Sequence, residues 1–152
     1  GSRSFFQVNR FLTDELARAA IGDLTGGTAL DLYAGVGLLT LPLARRFERV
    51  TGVDSSGAAV RSLQFNAERA GVSVKVAHLN VHEYLHGFDE KVDAIVADPP
   101  RAGLGPEIAA DLVRIGAPRL ALVSCDPSIG SIRMIDLFPQ TFHLETLVHL
   151  TR

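Results

Sequence analysis

Thr28-Ala-Leu-Asp-Leu-Tyr-Ala-Gly-Val-Gly37 is the stretch whose reading decides the fold. Thr28 to Tyr33 reads as a short buried strand, and Leu38 to Phe47 after it as a helix. Between them stand Gly35 and Gly37, residues that let a backbone turn sharply and approach a ligand where a side chain would clash. Strand, glycine turn and helix make the opening unit of a nucleotide-binding α/β sheet. Two details separate this loop from a dinucleotide site. Asp31 is acidic, which suits a cationic aminoacyl sulfonium better than a pyrophosphate. The third glycine of the G-x-G-x-x-G pattern is absent, because Thr40 stands in its place. These features favour S-adenosylmethionine as the ligand. The alternative is a tight turn followed by a helix cap.

The pattern continues outward in both directions. Phe11 to Ile21 reads as a helix before the loop. After it come a strand over Arg49 to Val53, a helix over Ser55 to Ala70 closed by Gly71, and a strand over Val74 to His78. Val92 to Ala97 is apolar almost throughout, as a strand buried on both faces should be. A helix over Pro106 to Ile115 carries proline in its first turn, and Leu120 to Ser124 forms a fifth strand. Ile132 to Phe138 and Leu144 to Leu150 read as two more strands, joined around Pro139 as an antiparallel hairpin. The expected fold is therefore α/β: a Rossmann-like, mainly parallel sheet covered by helices, of the class I S-adenosylmethionine-dependent methyltransferase type, with a C-terminal antiparallel hairpin.

In open sheets of this kind ligands gather at the carboxyl ends of the strands, and the polar residues sort accordingly. Asp54 ends the second strand, where a carboxylate can accept the hydroxyls of an adenosine ribose. Asn80 follows the third strand and could meet the adenine edge, or be a solvated loop residue. Asp98-Pro-Pro-Arg101 follows the fourth strand, and its prolines hold Asp98 in place. Enzymes that methylate amino nitrogens often carry an aromatic residue after such a Pro-Pro; Arg101 here argues against nitrogen methylation. Ser124-Cys125-Asp126-Pro127 ends the fifth strand and brings a thiol to the same edge. A buried cysteine is ordinarily a small hydrophobe, so position alone leaves its role open.

Composition bounds these readings. The chain has 152 residues, 47% hydrophobic and 21% charged, which fits one globular domain. Gly1-Ser2 reads as a tag-cleavage scar, and residues 3–152 as a catalytic domain taken from a longer protein. No apolar run approaches the roughly 20 residues needed to span a bilayer. The net charge of −2 provides no strong overall field for nucleic acid, so another domain or a local patch must supply RNA affinity. The single cysteine excludes an internal disulfide and a cysteine-built metal or iron–sulfur site in this chain, and it fits a reducing cytoplasm. His82 and His86 have a spacing that could suit a metal, but without a third ligand a solvated helix face is the plainer reading.

With these residues placed, the chain resembles the catalytic domain of the RNA 5-methyluridine (uracil-C5) methyltransferases, a bacterial family acting on transfer RNA and 23S ribosomal RNA. The resemblance runs from Phe5 to Arg152. It rests on Phe6-Gln-Val-Asn9, Asp31-Leu-Tyr-Ala-Gly-Val-Gly37, Asp98-Pro-Pro-Arg-Ala-Gly103, Ser124-Cys-Asp-Pro127 and Leu137-Phe-Pro-Gln-Thr-Phe-His-Leu-Glu145. It implies that Gln7, Tyr33, Asp54, Asn80 and Asp98 line the cofactor site, that Cys125 is the nucleophile, and that Glu145 removes the proton from the target carbon. Asp98 and Arg101 would also face the substrate base, and Arg101 could stabilise the thiolate or the enolate. Leu38 departs from the pattern, since relatives often have asparagine there. The family's RNA-binding and central domains have no counterpart in this chain; some relatives carry an iron–sulfur cluster outside the catalytic domain.

Two other classes use parts of the same sequence. A small-molecule or protein methyltransferase would use the glycine loop and Asp54 but leave Cys125 and Glu145 idle. A non-catalytic RNA- or partner-binding module would use neither. A DNA cytosine-C5 enzyme would carry its cysteine in the Pro-Pro loop. One feature of the chain conflicts with the family's sheet, which places the final strand between the fifth and sixth, with these two parallel. Only six residues, Asp126 to Ser131, separate Cys125 from Ile132. A parallel crossover needs about a dozen or more. The expectation is that a stretch, a helix in relatives, is missing between Pro127 and Gly130.

Overall fold

A computed structural model describes residue 15 and residues 17–126, 131–137 and 144–149, with side chains as far as residue 123. Gln7, the first part of the expected Phe11–Ile21 helix and the turn around Pro139 lie outside these residues; 17–21 are helical. The elements are β1 (Gly26–Leu32), α1 (Thr40–Ala44), β2 (Phe47–Asp54), α2 (Gly57–Ala70), β3 (Lys75–His78), α3 (Val81–His86), β4 (Ala94–Ala97), α4 (Pro106–Ile115), β5 (Arg119–Asp126), β6 (Ser131–Leu137) and β7 (Leu144–His149). All seven strands form one sheet in the order β3-β2-β1-β4-β5-β6-β7. The first five in that order are parallel. No helix among the described residues is long and apolar enough to cross a membrane.

Strand alternation builds the two core layers. Ala29, Ala94, Val96, Ala121 and Val123 point to one side, where they pack with Ile21, Leu24, Leu39, Leu43 and Phe47. Leu30, Leu32, Ile95 and Ala97 point to the other, against Val81 and Leu85 of α3 and Leu112 of α4. Every residue of β4 is buried, as an apolar strand flanked by helices on both faces must be. The chain runs directly from strand to helix to strand through this half, which is the α/β, Rossmann-like arrangement expected from the sequence.

Two expectations are corrected, and one helix is added to those read from the sequence. The helix read over Leu38 to Phe47 is confined to Thr40–Ala44, because Phe47 is drawn into β2 opposite Gly26 and buried in the core. The short helix α3 has too few residues to show apolar periodicity. Its mark is Asn80, which caps the helix by accepting from the Glu83 N–H at 2.8 Å while its own amide donates to Glu83 Oε1. The second correction concerns the far edge. β6 is antiparallel to β5 and directly beside it, with Asp126 opposite Ser131 and Cys125 opposite Ile132. β7 lies outside β6, antiparallel to it as the hairpin reading required. The expected order, with the final strand between the fifth and sixth, is not the one observed. The physical reason is the link itself: residues 127–130 are long enough for a hairpin and too short for a crossover.

Candidate active site

The register brings three carboxylates to one edge. Asp31 lies in β1, paired on one side with Gly52 and on the other with Val96; Asp54 ends β2, and Asp98 follows β4. Asp31 is 1% exposed. Its Oδ2 accepts a hydrogen bond from Thr40 Oγ1 at 2.5 Å, and its Oδ1 is buried without a partner. Burial pushes the Asp31 carboxyl up to about 7; the Thr40 hydrogen bond lowers it, and the nearby Asp98 and Asp54 charges raise it. Asp98 stands at the surface of the edge, and partial desolvation raises its carboxyl as well.

The glycine loop is anchored from below. Ala34 N–H donates to Val53 O at 2.9 Å, and Gly35 N–H donates to Asp54 Oδ2 at 2.8 Å. Asp54 Oδ1 accepts from Ser56 N–H, and Ser56 in turn caps α2 by accepting from Ala59 N–H at 3.2 Å. From α2, Asn66 Nδ2 donates to Val36 O at 2.9 Å. Tyr33 adopts a left-handed φ of 61°, uncommon for a residue with a side chain and typical of functional turns; burial raises its hydroxyl. Gly37, at φ 103°, is required sterically too, since a Cβ there would come within 2.6 Å of Leu63 Cδ1. Above Gly35, at φ 59°, the space is open. Gly52, under the loop, has Leu63, Ala34 and Thr40 where its side chain would be, at 2.8, 3.2 and 3.3 Å.

This edge can do specific chemistry. A cup of three acids repels a pyrophosphate and attracts a cation, and the orphaned Asp31 Oδ1 wants a hydrogen-bond donor bearing positive charge. The α-ammonium and sulfonium of S-adenosylmethionine supply that charge. Asp54 retains lone pairs for ribose hydroxyls beyond the two backbone N–H groups it accepts, and the open space at Gly35 admits the methionine chain. The residues present therefore fit the cofactor read from the sequence. Sequence reasoning missed Thr40, although its place at the missing third glycine was the signal.

The other expected site residues are placed unequally. Asn80 lies at the end of β3, exposed, with its side chain engaged in capping α3. Arg101 is exposed in a turn closed by Gly103 N–H donating to Pro100 O at 2.8 Å. Cys125 lies in β5 three residues beyond the last β4–β5 pair, Ala97–Leu122. That is the level at which the Asp98–Arg101 loop leaves the neighbouring strand. Glu145 lies in β7 opposite Ile135, itself opposite Leu122; Cys125 shares its row with Ile132 and Val148. The register thus sets Glu145 and Cys125 three rows and two strands apart. His82 and His86 stand on α3, with His82 Nε2 3.7 Å from Glu107 Oε2. A separate groove of about 650 Å³, lined by Thr28, Arg49, Lys75, Glu83, Tyr84 and Lys91, opens beside the amino ends of β1 to β3; none of the three carboxylates lines it.

The family model described as the methyltransferase small domain matches residues 7–122, the β1-to-β5 half that holds the acidic cup. The chain belongs to that family. S-adenosylmethionine is the cofactor of these methyltransferases. The domain is 33% identical to an uncharacterised RNA methyltransferase of Thermotoga maritima, covering 98% of this chain and 38% of that protein. It is 34% identical to the Klebsiella pneumoniae 23S rRNA (uracil(1939)-C(5))-methyltransferase RlmD, covering 99% of this chain and 39% of that one. Among solved structures it resembles the Pyrococcus abyssi tRNA (uracil-54, C5)-methyltransferase in complex with S-adenosyl-L-homocysteine. That match has a TM-score of 0.67 and 31% identity, covering 76% of this chain and 29% of that one. The resemblance to RNA uracil-C5 methyltransferases read from the motifs is thereby borne out. The methyltransferase domain spans about two fifths of the length of the curated relatives it matches. The curated matches run over 168 and 176 residues against 152 in this chain, so those relatives hold residues inside the matched stretch that this domain lacks.

Proposed function

We propose that this domain methylates carbon 5 of a uridine in RNA, in the cytoplasm, through a covalent adduct with Cys125. The observation that carries the reading is the place of Cys125: on the strand beside β4, at the level of the Asp98-Pro-Pro-Arg101 loop, on the edge that holds Asp31 and Asp54. The two relatives whose printed names specify uracil-C5 transfer support it. Asp31, Tyr33, Gly35, Gly37, Asp54, Asn80 and Asp98, with Gln7, hold the cofactor.

When bound, S-adenosylmethionine supplies a methyl group activated on a sulfonium. Carbon 5 of uracil is a poor nucleophile until the ring is activated. The Cys125 thiolate adds to carbon 6, forming a sulfur–carbon bond and converting the ring to an enolate. With the cofactor held there, carbon 5 would take its methyl group, the sulfur–methyl bond breaking to leave a neutral thioether. Glu145 accepts the carbon 5 proton, the carbon 6–sulfur bond breaks, and the thiolate leaves as the ring double bond returns. A free cysteine has a pKa of about 8.5, so ionisation needs help, and Arg101, in the loop after β4, is our candidate for supplying it. The base must leave its stack to enter. Proton removal by Glu145 calls for β7 to come against β5, the order that the family resemblance implies.

The test is methyl transfer to bulk RNA, with the modified base mapped by nuclease digestion and chromatography, using wild type and Cys125→Ser. Transfer to uridine carbon 5, lost in the serine variant, is the expected result. Transfer that survives Cys125→Ser would instead support a methyltransferase of the same fold without covalent chemistry.

A further inference from the structure

We propose that Thr40 is a positioning residue for the cofactor's ammonium group, acting through Asp31. It deepens the reading of the glycine loop as the cofactor cradle and rests on that reading. Asp31 is a carboxylate buried to 1% exposure with one oxygen satisfied and the other orphaned. The satisfied oxygen, Oδ2, is held by Thr40 Oγ1, and Thr40 is itself fully buried at the start of α1. The threonine is locked in turn. Its methyl, Cγ2, lies against Gly52, so close that a Cβ there would come to 3.3 Å. With the methyl packed on β2, the hydroxyl is left to face β1.

Two consequences follow for the acid. Orientation is the first: with Oδ2 tied down, the carboxylate cannot swing, and the unpartnered Oδ1 keeps one position. Ionisation is the second. Asp54, ending β2, and Asp98, following β4, both oppose the charge on Asp31, as does burial. The Thr40 hydroxyl, by contrast, favours the charged form. It offsets part of the cost of keeping an anion ready for a cation that has not yet arrived. A third glycine at this position would give the loop its turn but leave Asp31 without that donor.

The test is calorimetric binding of S-adenosylmethionine to the 152-residue chain between pH 5.5 and 8.5. Wild type, Thr40→Val, Thr40→Ser and Asp31→Asn are compared. Wild-type affinity should rise with pH as Asp31 ionises. Thr40→Val, which keeps the shape and removes the donor, should bind about tenfold more weakly at pH 7, with its acid limb moved up by about one unit. Thr40→Ser should restore most of both, and Asp31→Asn should abolish the limb. Where Thr40→Val does not fold, Thr40→Cys, a weak donor of similar size, should show a shift in the same direction. A valine or cysteine variant with the wild-type acid limb, or a serine variant displaced as far as valine, overturns the role of Thr40. Wild type that binds no S-adenosylmethionine at any pH overturns the cradle reading, and this proposal with it.

Discussion

The two halves of the sheet are put together differently. From β1 to β5 in the chain, consecutive strands are joined by crossovers and every pairing is parallel, and the polar residues at the strand ends converge because the register leaves them no other place. From β5 to β7 the chain turns back on itself twice, and Cys125 and Glu145 fall three rows apart. On the proposed function, the first half gathers the residues for the cofactor, whereas the second sets the proposed nucleophile at the level of the Asp98–Arg101 loop without the proposed base beside it. Loop length makes the difference: crossovers let strands be placed by packing, whereas a hairpin fixes the partner of each strand at once.

The sharpest way to test that division is Cys125→Ser. Transfer should fall by at least about a thousandfold while S-adenosylmethionine affinity, measured by calorimetry, stays within twofold of wild type. A large loss of cofactor binding would show that the halves are not separable.

The converse change is Asp31→Asn. Affinity for S-adenosylmethionine should drop by about a hundredfold, since a neutral amide offers the ammonium no counter-charge. Stability should move the other way. The folded protein holds the Asp31 proton up to about pH 7, whereas the ordinary value is 3.8. The unfolded chain therefore releases it first, and the folded state loses stability as pH rises from about 4 to about 7, with no further loss above that. Asp98, also raised, adds to the same trend. Thermal unfolding without cofactor should give a lower melting temperature at pH 8 than at pH 5 for wild type. Asp31→Asn should flatten that slope.

A gain is expected from lengthening the second half. Insertion of about 20 helix-forming residues after Pro127 should free β6 from the hairpin, allow β7 to pair with β5, and raise transfer by about tenfold. Cysteines placed at positions 122 and 135, opposite one another now, should cross-link in the present chain and cease to do so in the lengthened one. Cross-linking that persists in the longer chain would mean that strand order does not depend on the link.

The smallest effect separates two glycines. Gly37→Ala should cost about 2–4 kcal/mol by chemical denaturation, because strain and the Leu63 contact add. Gly35→Ala, with open space above it, should cost about 1 kcal/mol and act on cofactor affinity instead.

The first half was largely legible from the sequence because its signals are local and agree. Val92 to Ala97 is apolar and β4 is buried; Pro106 opens α4 and Gly116, at φ 62°, closes it. Asp31 stands one residue before the end of β1, Asp54 ends β2 and Asp98 follows β4, so recognising the strands was enough to gather them. Two things escaped. α1 is shorter than its apolar pattern because tertiary pairing of Phe47 overrides helix propensity. The Asp31–Thr40 bond escaped because no periodicity reports which buried hydroxyl meets which acid. In the second half the six-residue link carried the decisive information, and the structure follows the link.

Gly52 shows how little freedom the site leaves to drift. Its missing side chain is replaced by Leu63 from α2, Ala34 from the loop and Thr40 from α1, three neighbours in three separate elements. A larger residue at 52 is tolerable only after Leu63 has been made smaller, and a smaller Leu63 first opens a void beside Gly37. Substitutions here are therefore ordered in time. Each route to a new combination begins with a destabilised intermediate, and a lineage can cross it only with stability in reserve.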